Sequence, residues 1–171
     1  MTGSRELLIK ILYQIVGNYR DLLEIASEEE EAIALGDVSK VQDLLYSRDV
    51  LVESLKKIEN HRIEATNSLM IEMNVDYSQV ETIDDLAKVF DGDDNKFSDK
   101  IRSLGVTLNH LVGKLKAANS RNQKLIEISL GHINKMRQNI YDALNGKNET
   151  YSSEGKKSNR SSGEHLLNTE L

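Results

Sequence analysis

The chain has 171 residues, a formal charge of −6, no cysteine and no proline. That length fits one domain. Without cysteine there is no disulfide framework, thiolate metal site or cysteine nucleophile, and the acidic balance disfavours nucleic acid as a partner. Aromatics are only 5% against 29% charged residues, which argues against a sheet and for a helix-rich chain. With no proline to break an i→i−4 ladder, the helices can be very long. The opening stretch is apolar but is interrupted by Arg5, Glu6 and Lys10. It reads as neither signal peptide nor membrane span, so a cytoplasmic protein is expected.

The first segment runs from Ser4, a natural N-cap, to Leu35. Apolar residues at Leu8, Leu12, Ile15, Tyr19, Leu22, Ala26 and Ile33 alternate spacings of four and three, and Glu29 fills the missing seam position. Gly36 then gives a helix-stop signal and Asp37 a helix-start signal, which predicts an antiparallel hairpin. A kinked continuous helix is the alternative. The acidic run Glu28–Glu31 precedes this turn. Consecutive helical residues point about 100° apart, so these carboxylates cannot converge on one metal ion.

The second segment extends from Asp37 to Asn74, on a seam that includes Val41, Leu44, Leu51, Leu55, Ile58, Ala65 and Leu69. Arg48 and Arg62 also sit on that seam. In a hairpin Arg48 falls near Glu24 or Glu28, and Lys40 near the same run. Residues 75–97 lack the long period. Thr82 followed by Asp85 predicts a capping box and a short helix near 83–90. The stretch DGDDNKF, Asp91 to Phe97, has the look of a calcium loop. It has Lys96 where the loop glycine belongs and Arg102 where the bidentate glutamate belongs, so it reads as an acidic loop.

The third segment runs from Ser98 to Asn145, about 70 Å if unbroken. Its seam starts at Ile101, Leu104 and Leu108 and ends at Ile133, Met136, Ile140 and Leu144. Gly105, Gly113 and Gly131 each weaken it by about 1 kcal/mol relative to alanine. The seam turns polar at Asn122 and Ser129, either as a register-setting buried asparagine or as a groove left unfilled for a partner. From Gly146 the chain is rich in Ser, Asn, Gly and charge, and predicts a flexible tail over 146–171 beside a helical domain over 1–145. The fold class expected is all-α: an elongated antiparallel bundle of three long helices, with the short helix near 83–90 and a disordered C-terminal tail.

No catalytic constellation is present. Three residues before His61, His110, His132 and His165 stand Ile58, Thr107, Ser129 and Ser162, so Glu-x-x-His is missing, as are the zinc-protease, P-loop and nucleophile-elbow motifs. No metal and no cofactor is expected. NHLVGKLKAAN around His110 only loosely resembles a histidine phosphotransfer motif, because its glycine is one residue too close and no Leu-Lys precedes it.

Three features recur together: a long helix ending in EEEEAIALGD, a second seam ending in IENHR (Ile58 to Arg62), and the late run AANSRNQKLIEISLGHI from Ala117 to Ile133. In order and spacing they resemble the FlgN family of flagellar type III export chaperones, over about residues 5 to 150. NETYSSEG, residues 148–155, adds the tyrosine and nearby glycine that family members carry beyond the last helix. The resemblance implies a chaperone, not an enzyme. Such a chaperone binds hook–filament junction proteins (FlgK/FlgL type), prevents their premature assembly and delivers them to the type III export gate. By position it implies client binding through Asn119, Asn122, Leu125, Ile126, Ser129, Ile133, Met136 and Ile140, and export-gate docking through Tyr151. A monomer or weak dimer is expected when the protein is free, with no membrane insertion. The competing readings are a self-associating coiled-coil adaptor and, further off, phosphotransfer by His110.

Overall fold

A computed structural model describes residues 2–76, 78, 80 and 82–145. Four helices follow in order: α1 (Thr2–Leu35), α2 (Val38–Met73), α3 (Ile83–Lys88) and α4 (Asn95–Leu144). No strand occurs among the described residues, and the three long helices are those the seams predict. The chain divides into two units, Met1–Leu125 and Ile126–Leu171. The expected tail over 146–171, Tyr151 included, lies outside the described residues.

The turn between α1 and α2 forms as its residues dictate. Gly36 sits at φ 70°, and the N–H groups of Gly36 and Asp37 close back on the carbonyls of Ile33 and Ala32. That pair of bonds is a Schellman stop, which favours glycine at the left-handed position. The Asp37 carboxylate then accepts from the Lys40 N–H and caps α2. The two helices run back antiparallel: Lys40 meets Glu28 near the turn, and Ser4 donates to Glu72 at the far end. Asn74 stops α2 in the same left-handed way, at φ 54°.

Two expected helix starts move. Ser4 does not cap α1, which already runs from Thr2; the Ser4 hydroxyl bonds Glu72 instead. The third long helix begins at Asn95 rather than Ser98, because the Asp94 carboxylate accepts the Phe97 N–H and supplies the cap three residues earlier. The short helix ends at Lys88, and its predicted Thr82–Asp85 capping box is complete.

Seams become core within Met1–Leu125. Leu8, Leu12, Ile15, Leu22 and Ala26 of α1 are buried, together with Leu69 and Met70 of α2 and Ile101, Leu104, Leu108 and Leu111 of α4. Each fully buried aliphatic side chain contributes about 1.5–3 kcal/mol, so this layer carries most of the stability. The α3 helix adds Leu86 and Ala87 and lies hard against α4. A Cβ on Gly105 would meet Ile83 Cγ2 at 2.6 Å, which explains that glycine better than local weakening does, whereas Gly113 and Gly131 face open space.

The acidic connection is tied down by arginines. Phe90 and Phe97 pack edge to face at 4.7 Å, and the Arg5 guanidinium lies over both rings while bonding Asp93 and Asp94. Arg102 bonds Asp91 at 2.6 Å, and Ser98 donates to the same carboxylate. These carboxylates thus meet arginines, and among the described residues no group of three or more His, Cys, Asp or Glu is placed to hold a metal ion.

Arg102 is the main cause holding the Asp91 pKa below its ordinary value; the Phe97 N–H and then Arg5 do the same for Asp94. A carboxylate lowered in the folded state binds fewer protons there than in the unfolded chain. The stability it adds is present above the unfolded value of about 3.9 and is lost as pH falls through the folded value. The urea midpoint is expected to drop between pH 5 and pH 3, and Arg102→Met should make that drop shallower. Parallel urea titrations of the two proteins across that range measure it; equal slopes would show that the arginine does not set the acid sensitivity.

Candidate functional site

The polar stretch of the third seam resolves into two different situations. In the first unit, Asn122 is 4% exposed; its amide donates to the Ala26 carbonyl at 2.8 Å and to Glu29 at 3.3 Å. Glu29, on the α1 seam, is also buried, and Arg48 of α2 donates to both its carboxylate oxygens at 3.0 and 3.3 Å. One seam residue from each long helix thus forms a polar layer across the bundle. The expected partner of Arg48 was Glu24 or Glu28; it is Glu29, because seam faces seam in an antiparallel pair. Around the layer, Lys40 reaches Glu28 and Arg121 reaches Glu30. Three of the four glutamates before the turn, Glu28, Glu29 and Glu30, therefore meet cations, and Glu31 is exposed.

A layer of this kind fixes register more than it adds stability, since burying charge costs nearly what pairing returns. Among the described residues, its Asn122 Oδ1 has no hydrogen-bond partner. Of the other two candidates in this unit, Asn119 is exposed and Leu125 half-buried.

From Ile126 to Leu144 the picture reverses. Ile126, Leu130, Ile133, Met136, Ile140, Tyr141 and Leu144 are all more than 40% exposed. At about 100° per residue they fall, with Ser129, inside one arc about 140° wide. The opposite arc holds Lys124, Glu127, Lys135, Gln138 and Asp142, with Ile128 its one large apolar residue. A stripe this wide and apolar on an amphipathic helix is the form that seats another amphipathic helix, and Met136 supplies an adaptable contact within it.

Of the candidates named from sequence, Ile126, Ser129, Ile133, Met136 and Ile140 share this face, while Asn122 is engaged in the polar layer. Leu130, Tyr141 and Arg137 were missed. A strict heptad follows two rows of residues, here 129/136 and 126/133/140, whereas the stripe adds a third, 130/137/144, with Tyr141 at its edge. The third row is visible once residues are placed at 3.6 per turn.

His110 is exposed on α4, and a groove of about 620 Å³ between α1 and α2 is an open one lined by Leu7, Lys10, Gln14, His61 and Glu64. No helix among the described residues is long and apolar enough to cross a membrane.

The sequence model of the FlgN family, described as FlgN protein, matches residues 1–159. No curated protein and no solved structure matches the chain. The family match spans all four helices. The chain belongs to the FlgN family, a family of flagellar export chaperones and not of enzymes.

Proposed function

We propose that this chaperone acts in the cytoplasm on hook–filament junction proteins of the FlgK/FlgL type, holds their terminal segments against premature assembly, and delivers them to the type III export gate. The client's segment packs as a helix on the α4 stripe through Ile126, Ser129, Ile133, Met136 and Ile140. Tyr151, beyond the stripe in sequence, docks on the gate. One observation carries this reading: large apolar side chains repeat along 126–144 at helical spacing and remain exposed. Leaving such a face in water is unfavourable by about 25 cal/mol per Å² of apolar surface, so the helix gains by acquiring a partner. Neither ATP chemistry nor a cofactor has any part in such holding.

A tagged copy of the protein, recovered from flagellated cells of the source organism, is expected to bring down a junction protein in near-equal amount, identified without bias by mass spectrometry. Recovery of the protein with only copies of itself would replace the chaperone–client reading with that of a self-associating adaptor.

A further inference from the structure

The α4 stripe contains one residue that does not belong to an apolar surface. Arg137 occupies the third row, between Leu130 and Leu144, and projects within about 60° of both Ile133 and Ile140 on the helix. It is exposed, and among the described residues it has no ion pair. The nearby Asp142 carboxylate is engaged by Gln138, and it lies on the opposite arc of the helix. Arg5, Arg48, Arg62, Arg102 and Arg121 each meet a carboxylate within 4 Å, whereas Arg20, exposed on α1, shares with Arg137 the lack of an ion pair among the described residues.

Anything that covers Ile133 and Ile140 must also cover the guanidinium. Removing an unpaired guanidinium from water is costly, and a bidentate carboxylate is its best compensation. An all-apolar partner face would therefore be rejected, which is how one charge in an apolar surface selects among amphipathic helices.

We infer that Arg137 is a specificity residue of the stripe, and that the occupant is an amphipathic client helix whose apolar face is interrupted by one Asp or Glu placed to meet it. The inference rests on the client-binding reading above and adds the partner's charge and its register. A client helix seated with its carboxylate on Arg137 has only one alignment along α4, whereas a purely apolar face could slip by a turn.

The test uses the full-length chaperone and, as probe, the terminal segment of a junction protein from the same organism, with binding followed by titration calorimetry. Arg137→Glu is expected to weaken binding on the order of 100-fold, since it sets two carboxylates against each other in a desolvated interface. Reversal of one client carboxylate to Lys should restore most of that loss, and no other client reversal should. Arg137→Leu should reduce the dependence of affinity on salt.

The Ile133→Asp/Ile140→Asp double variant separates the two readings. If it abolishes binding while Arg137→Glu leaves affinity unchanged, the docking surface stands and the carboxylate inference is overturned. Unchanged binding by the double variant overturns both. Weakening by Arg137→Glu that no client reversal rescues also overturns the inference, because the arginine then acts without an acidic counterpart.

Discussion

The Ile133→Asp/Ile140→Asp double variant is expected to fold as the wild type does and to lose client affinity by on the order of 1,000-fold. Folding is spared because Ile133 and Ile140 are 60% and 57% exposed, so neither substitution removes core. Each costs only the difference in helix propensity, a few tenths of a kcal/mol. Binding is not spared. Both positions lie on the central row of the stripe, seven residues apart, and a client helix covering one covers the other. Each carboxylate would have to leave water opposite an apolar client face, at several kcal/mol apiece. Circular dichroism and the urea midpoint measure the fold, and titration calorimetry with a junction protein measures affinity. A double variant that stays folded and binds its client normally would show that the stripe is not the client's seat.

What the sequence made legible follows from which physical signal each feature leaves. The hairpin was readable because Gly36 and Asp37 are local devices: a left-handed stop and a carboxylate cap act within a few residues, and both formed. The capping box at Thr82 was readable for the same reason. Long seams were readable because apolar positions repeat at the same spacing through many turns, and even the odd member, Glu29, turned out to be buried where the spacing put it. Tertiary choices were not local and were missed. Ser4 has the residue type of a cap but is used to reach Glu72 across the hairpin. The start of α4 depends on Asp94, one of three acidic residues in a loop whose roles are assigned by Arg5 on α1 and Arg102 on α4. Gly105 answers to Ile83, 22 residues earlier, which no helix-propensity argument contains. The site was legible in part: composition cannot tell a seam that buries itself from one that stays exposed. Leu111 and Ile133 stand on the same predicted seam, yet one is 8% exposed and the other 60%.

Asn122 gives the sharpest stability prediction. Asn122→Asp is expected to destabilise the fold by about 3 kcal/mol, and Asn122→Leu to be within about 1 kcal/mol of wild type or more stable. The asparagine amide now donates to the Ala26 carbonyl and to Glu29. An aspartate would aim an anionic oxygen at both acceptors and put a second carboxylate beside Glu29 in the core, with Arg48 as the one cation between them. Because Arg48 is partly exposed and can shift toward the new charge, the loss stays near the lower end for a broken buried pair. A leucine removes the amide and with it the Oδ1 that has no partner among the described residues. The Ala26 carbonyl keeps its place in the α1 ladder and Glu29 keeps both bonds from Arg48, so no buried group is newly orphaned. Urea unfolding of the three proteins at neutral pH decides the matter. If leucine costs as much as aspartate, the asparagine stabilises the bundle through its own hydrogen bonds. If leucine is tolerated and aspartate is not, the layer is held for the alignment of three helices that it specifies, with little net stability from the amide itself.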